Sequence, residues 1–328
     1  MKQFRSRLGL AVSVLVLGAA ACGTAGTAGQ STASSAPPTA SSPGTSASHP
    51  FPVTIEAANG KIAISARPTA IVSLSPTATE MLYAIGAGRQ VKAVDESSDY
   101  PPNAPRSKLD GFDPNIEAIV AYRPDLVLIA GDSTGLTARL RPFGIPVLSL
   151  PAANTLGDVY RQIAEIGEAT GHRAQSGSLA AQMRGDIASI VRSTPKPSAP
   201  LTYYYELDPT YYSVTSSTFV GSLLGLLGMR SIADAAGGAN SGYPQLSAEY
   251  IIKADPDFII LADTVCCRQN ARSVAARPGW SVLKAVKAGN IVGLNDDIAS
   301  RWGPRIVTLL GQVAAAVRRA ERKTADSS

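Results

Sequence analysis

One segment of this chain occurs twice. Residues 117–132, EAIVAYRPDLVLIAGD, return as residues 249–264, EYIIKADPDFIILADT, with the Glu, an Ile, the Pro-Asp pair and the apolar run in register. In each copy a short amphipathic stretch stops at Pro-Asp and a hydrophobic run follows, which predicts a helix, a turn and a buried parallel strand. Two such units predict two similar α/β lobes with a cleft between them, and small molecules commonly bind in such clefts.

The segment between the two copies predicts how the lobes are joined. Apolar residues recur at helical spacing through residues 172–195, and Pro residues end the pattern. We therefore predict an N-terminal α/β lobe over residues 51–171, one long bridging helix over residues 172–195 and a C-terminal α/β lobe over residues 196–328.

The N-terminus predicts export. Three basic residues precede an apolar run that is too short for a membrane span, so residues 1–21 are expected to be a secretory signal. The run ends Ala-Ala-Ala-Cys-Gly, which resembles a bacterial lipobox and makes Cys22 the expected site of lipid attachment; secretion with a free thiol is the alternative. Residues 22–50 are nearly all Gly, Thr, Ser, Ala and Pro, which predicts a disordered tether.

Charge and motif content argue against several function classes. The formal net charge is +5, three of these charges lie in the predicted signal, and no basic run follows, so nucleic acid is not an expected partner. With two His and no nucleophile, phosphate-loop or dinucleotide motif, we predict neither an enzyme nor a resident cofactor. A receptor for a bare metal ion needs several His ligands, so no metal site is predicted. An exported enzyme and an extracellular interaction protein are the competing hypotheses.

Cys266 and Cys267 are neighbours in the sequence. Adjacent Cα atoms lie about 3.8 Å apart, below the usual disulfide range, so a bond between these two residues would lock a tight turn. For an exported protein that disulfide is one hypothesis. The turn would then stiffen a loop at the mouth of the cleft or serve a structural role away from the ligand, and metal ligation is a third interpretation.

Five motifs resemble those of the substrate-binding proteins of metal-chelate ABC importers, most closely the cobalamin-binding branch. They are SLSPTATEMLYAIGA (73–87), SDYPPNA (98–104), NIEAIVAYRPDLVL (115–128), YPQLSAEYIIKADPD (243–257) and RWGPRI (301–306). The resemblance implies two Rossmann-like lobes joined by one long helix. It also implies a monomeric lipoprotein, anchored on the extracytoplasmic face of the cell membrane, that delivers cobalamin to an ABC permease with its ATPase. A ferric siderophore or haem is the alternative ligand.

The resemblance also implies ligand contacts. By their positions in the motifs, these are Tyr100, Phe112, Tyr243, Asp297, Arg301 and Trp302. Asp297 is expected to orient Arg301 toward amide or carboxylate groups of the ligand, with a surface ion pair as the alternative. Strand alternation places Glu206 on one face with Tyr204. We favour Glu206 and Tyr212 for the cleft, against packing inside the lobe.

Two acidic residues are implied as the permease-docking pair. The resemblance assigns this role to Glu80 and Glu249, one at the outer tip of each lobe. Each also has a structural alternative, because Glu80 lies three residues after Thr77, as in a capping box, and Glu249 lies in a first helical turn after Ser247.

Overall fold

The first lobe is built on a parallel sheet whose central strands are hydrophobic and buried on both faces. The computed structural model describes residues 51–326, so the predicted signal and the tether with Cys22 lie outside the described residues. An antiparallel hairpin of β1 (Val53–Ala57) and β2 (Gly60–Ile64) precedes the sheet. The sheet has the order β5-β4-β3-β6-β7. Its strands are β3 (Ile71–Leu74), β4 (Val91–Asp95), β5 (Arg106–Leu109), β6 (Leu126–Ile129) and β7 (Val147–Ser149).

Helices cover this sheet and lead out of the lobe. Most begin at a capping side chain, such as Thr155, which forms a capping box with Asp158 at the start of α4. The helices are α1 (Pro76–Ala84), α2 (Ile116–Val120), α3 (Leu136–Leu140) and α4 (Leu156–Thr170). After Gly171, in the left-handed conformation at φ 74°, the chain enters α5 (Arg173–Ser193). This long helix connects the two sheets.

The second lobe repeats the plan with four parallel strands in the order β11-β10-β8-β9. These strands are β8 (Leu201–Glu206), β9 (Met229–Ser231), β10 (Phe258–Leu261) and β11 (Ile291–Gly293). The helices are α6 (Phe219–Gly225), α7 (Ala248–Ala254), α8 (Ala271–Ala275), α9 (Lys284–Ala288), α10 (Asp296–Ser300) and α11 (Ile306–Asp326). The predicted α/β fold of two parallel-sheet lobes is confirmed.

The duplicated segment forms the same structure in both lobes. Each copy contains a short helix, α2 or α7, then Pro-Asp, then the buried strand β6 or β10. The Asp125 carboxylate accepts the backbone N–H of Thr69 at 2.7 Å, and the Asp257 carboxylate accepts that of Thr202 at 2.8 Å. Both Thr hydroxyls donate to the same carboxylates. The repeated Asp therefore ties its turn to the start of the neighbouring strand.

The hydrophobic core extends through both lobes. One hydrophobic cluster extends from β3 and α1 of the first lobe through α4 and α5 to α11 and the second sheet, whereas two smaller clusters cover the outer faces. Loops at the carboxyl ends of parallel strands meet at one edge of each sheet. Within residues 51–326, no helix combines the length and the hydrophobicity that crossing a membrane requires.

Candidate ligand-binding cleft

A cavity of about 560 Å³ lies at the carboxyl edge of the first sheet. The first lobe contributes residues that follow β3, β4 and β6, and many of them are hydroxyl-bearing or small. The second lobe contributes α10 and the loop after it. Both lobes therefore line this space, and the charged and aromatic side chains among the lining residues are Asp95, Phe112, Asp297, Arg301 and Trp302.

A second cavity, of about 200 Å³, lies on the side of the second lobe. Tyr205, Phe219 and Tyr243 line it, and it shares Arg301 and Trp302 with the larger cavity. These two residues therefore stand where the two cavities meet. The predicted contacts Phe112, Tyr243, Asp297, Arg301 and Trp302 all line one or both cavities.

The Trp302 indole is held in a fixed orientation from the first lobe. Its Nε1–H donates to the side-chain oxygen of Gln162 at 2.9 Å. Gln162 is buried and its own NH₂ group donates to the carbonyl of Pro151 at 2.7 Å. A Trp with a satisfied N–H presents a rigid apolar face to a ligand.

Arg301 is held by acceptors from both lobes. Its Nη1 donates to Glu80 at 3.0 Å and to Asp99 at 2.9 Å. Its Nη2 donates to the carbonyl of Ser97 at 3.0 Å and to Asp297 at 2.6 Å. Asp297 thus contacts Arg301 together with three first-lobe acceptors, and the orientation of Arg301 toward ligand groups stays a prediction.

Two of the three carboxyl groups that accept hydrogen bonds from Arg301 have pKa values shifted in opposite directions. Burial would raise the pKa of Asp99, but hydrogen bonds and the positive charge of Arg301 lower it below its usual value. Burial raises the pKa of Asp297, and the Arg301 charge offsets only part of this effect while Asp99 adds to it. The charged form of Asp99 is therefore stabilised in this site, whereas that of Asp297 is not.

Glu80 lies inside this network and not at an outer tip of its lobe. Only 3% of its surface is exposed. Arg305 binds both of its oxygens, from Nε at 2.9 Å and from Nη2 at 2.5 Å. Gly303 permits the approach, because a Cβ there would lie 3.2 Å from a Glu80 oxygen. The predicted exposed position of Glu80 is wrong, because two arginines of the second lobe converge on its carboxylate.

Glu249 is exposed in the first turn of α7, where Ser247 is the N-cap. Hydrogen bonds from its backbone N–H and from Ser247 lower the pKa of its carboxyl group. The residue at the same position of the first repeat is Glu117, which is exposed in the first turn of α2. The duplication therefore places one exposed Glu in the first turn of the equivalent helix of each lobe.

Two predicted ligand contacts lie outside the cavities. Tyr100 packs its ring against the Arg305 guanidinium, 4.3 Å from the ring centroid, and lines a separate groove with Glu80. Tyr212 forms an isolated antiparallel bridge with Gln245. Neither tyrosine is among the residues that line the two cavities, so their contact with ligand stays a prediction.

Glu206 is buried inside the second lobe. It has no exposed surface, and Arg277 donates to both of its oxygens at 2.5 and 2.6 Å. Glu206 shares a face of β8 with Tyr204, as strand alternation predicts, whereas Tyr205, on the opposite face, lines a cavity. The placement of Glu206 in the cleft is therefore wrong, because a helix-covered sheet buries both faces and the residue packs against the outer one.

A second buried carboxylate lies on the same face as Glu206. β10 pairs Leu261 with Glu206, and Asp263 is two residues further along. Asp263 is fully buried, and within the described residues neither of its carboxylate oxygens has a hydrogen-bond partner. Burial, with the nearby charge of Glu206, raises the pKa of Asp263 to about 7. This pair of acids shares one cation, Arg277.

The structure joins Cys266 to Cys267 in a disulfide, in the loop after β10. The Asp296 carboxylate accepts the backbone N–H groups of Val265 at 2.9 Å and of Cys266 at 2.7 Å, which fixes the loop to the start of α10. Neither cysteine is among the residues lining the two cavities. Within residues 51–326, no group of three or more His, Cys, Asp or Glu side chains is arranged to hold a metal ion.

Residues 71–298 match the model of a family described as periplasmic binding protein. The chain belongs to this family. A Bacillus subtilis relative named an uncharacterized ABC transporter substrate-binding lipoprotein, YvrC, is 31% identical over 277 residues, covering 81% of this chain and 86% of the relative. A Halobacterium salinarum relative named cobalamin-binding protein is 33% identical over 277 residues, and the match covers 81% of this chain and 74% of the relative.

A solved member of the periplasmic binding protein family has the same fold. It is a possible iron-binding, periplasmic solute-binding protein from Staphylococcus epidermidis, with a TM-score of 0.66 and 26% identity. The match covers 77% of this chain and 99% of that one. The resemblance stated from the five sequence motifs is thereby confirmed, and periplasmic binding proteins are solute-binding components of transport.

Proposed function

We propose that this periplasmic binding protein captures a corrinoid in the cleft and delivers it to an ABC permease with its ATPase. It acts as a lipoprotein, anchored through Cys22 on the extracytoplasmic face of the membrane, as a monomer and without catalysing a reaction. The observation that carries the proposal is the cavity lined from both lobes, where Arg301 and Trp302 are held rigidly. The Halobacterium salinarum relative named cobalamin-binding protein supports the choice of ligand.

The aromatic side chains of the cleft suit a large ring system. Phe112 lines the larger cavity and is 89% exposed, so its ring is accessible to a ligand there. Trp302 lines the same cavity with its N–H already satisfied. A macrocycle that covers both rings would remove their apolar surface from water, and this burial would stabilise the complex.

The second candidate ligand is an iron chelate, a ferric siderophore or haem. The Staphylococcus epidermidis structure of a possible iron-binding protein favours it, since the match covers 99% of that chain. The two candidates share the fold, the anchor and the docking residues. Equilibrium binding of each ligand to the purified protein distinguishes the two candidates.

Delivery to the permease is expected to use Glu249 and its repeat counterpart Glu117. The double variant Glu117→Ala/Glu249→Ala should lower cellular uptake of labelled cyanocobalamin about fivefold, since two exposed ion pairs with permease cations are lost. The dissociation constant for the ligand should not change, because neither residue lines the cleft. Uptake by cells that carry the matching permease is the measurement, with Glu56→Ala, an exposed acid of the hairpin, as the control. Undiminished uptake would contradict this docking assignment.

A further inference from the structure

Asp95 is a buried carboxyl group in the cleft. It is the last residue of β4, at the carboxyl end of a parallel strand, and it lines the larger cavity. Its exposed fraction is only 3%. Within the described residues, its Oδ1 atom has no hydrogen-bond partner.

The surroundings of Asp95 leave it incompletely stabilised as an ion. Burial raises the pKa of Asp95, and hydrogen bonds from Ser98 with the charge of Arg301 offset only part of this effect. The carboxyl group of Asp110 adds to the increase. A buried carboxylate oxygen without a donor is unfavourable, and a donor brought by a ligand would remove this penalty.

The backbone around Asp95 is shaped for close approach. At Gly111, which lines the same cavity, a Cβ atom would lie 2.8 Å from Asp95 Oδ2 and 2.8 Å from the carbonyl of Leu74. Any other residue at Gly111 would push against the carboxyl group. Glycine at this position therefore leaves room for the Asp95 carboxyl group beside the cavity that both residues line.

The cavity offers a carboxyl group for a ligand donor but no unused cation. Arg301 is the one Lys or Arg among the residues that line the larger cavity. Its guanidinium already donates to Glu80, Asp99, Asp297 and the carbonyl of Ser97. A carboxylate on the ligand would meet no cation among the lining residues that is not already paired with acids, and it would lie near Asp95 and Asp297, which is electrostatically unfavourable.

We propose that Asp95 accepts a hydrogen bond from an N–H or O–H group of the ligand. The cleft thereby selects chelates with amide or hydroxyl groups on their rim over chelates with carboxylates. This inference rests on the proposed function and makes its ligand class more specific. A corrinoid carries peripheral amides, whereas haem carries two carboxylates, so Asp95 favours the corrinoid.

Titration calorimetry on the purified protein tests the role of Asp95. The ligands are cyanocobalamin, the set of its derivatives in which one peripheral amide is replaced by a carboxylate, and haem. Wild-type protein should bind cyanocobalamin at least about tenfold more tightly than one or more of the monocarboxylates, the size expected for a charged group left without its partner. Asp95→Ala should weaken cyanocobalamin binding at least about tenfold, since a hydrogen bond to a charged group is lost.

Asp95→Asn keeps the shape and an acceptor oxygen but removes the charge. It should reduce the difference in affinity between cyanocobalamin and the monocarboxylates. The control is Asp113→Asn, since Asp113 is an exposed acid that does not line the cavity, and this variant should leave the difference in affinity unchanged. Thermal unfolding of each variant verifies that it is folded.

Two outcomes would overturn the inference and are distinct from each other. If wild-type protein binds cyanocobalamin and Asp95→Ala binds it equally well, Asp95 has no ligand contact, but the proposed function stands. If wild-type protein binds haem and not cyanocobalamin, both the selection against carboxylates and the corrinoid function are wrong.

Discussion

Replacing Glu80 by alanine is expected to lower the free energy of unfolding by about 3–5 kcal/mol, the usual result of removing one partner from a buried ion pair. The carboxylate is the meeting point of Arg301 and Arg305, both from the second lobe. Without it, Arg305 loses two hydrogen bonds and remains largely buried, and Arg301 loses one of its first-lobe acceptors. Urea unfolding, followed by the fluorescence of the two Trp residues, measures the effect.

The matched control for Glu80→Ala is Glu56→Ala. Glu56 also pairs with a cation, Lys61, but both side chains are exposed, so this variant should lose no more than about 1 kcal/mol. A loss as small as this for Glu80→Ala would show that the pairing between the lobes is not part of the stable structure.

Replacing Arg277 by methionine is expected to lower the free energy of unfolding by a similar amount, about 3–5 kcal/mol. The substitution leaves Glu206 without the cation that binds both its oxygens, next to the second buried acid Asp263. It also removes the guanidinium that packs over Trp280, 4.6 Å from the ring centroid. The same urea titration measures the loss.

Two further variants isolate the charge effect at Arg277. Arg230→Met removes an exposed partner of Asp234 and should change stability by no more than about 1 kcal/mol. Adding Glu206→Gln to Arg277→Met should recover part of the loss, because the neutral amide no longer leaves a buried charge unpaired. If the double variant is no more stable than Arg277→Met alone, the loss in free energy of unfolding comes from packing and not from the unpaired charge.

The fold could be predicted because its determinants are local. Each copy of the repeat combines helical spacing, a Pro-Asp stop and an apolar run of strand length, and these features depend on neighbouring residues only. The duplication then fixed the number of lobes. The carboxylates of Asp125 and Asp257 show that the repetition extends to individual hydrogen bonds.

The candidate site could be predicted only in part because it depends on contacts between distant residues. Arg301 and Trp302 were identified from a local motif, and both line the cleft. The burial of Glu80 depends on arginines more than 200 positions away in the chain, which no local pattern shows. For Glu206, strand alternation gave the right neighbours but could not tell the cleft side of a sheet buried on both faces.

Titration calorimetry of the purified protein with cyanocobalamin, haem and ferric siderophores tests the central claim most directly. We expect saturable one-to-one binding of cyanocobalamin, weakened at least about tenfold by Trp302→Ala, since the buried ring contributes roughly 1.5–3 kcal/mol. Thermal unfolding of the variant verifies that it is folded. No heat with cyanocobalamin, together with saturable binding of haem or a ferric siderophore, would contradict the corrinoid account and identify an iron-chelate receptor.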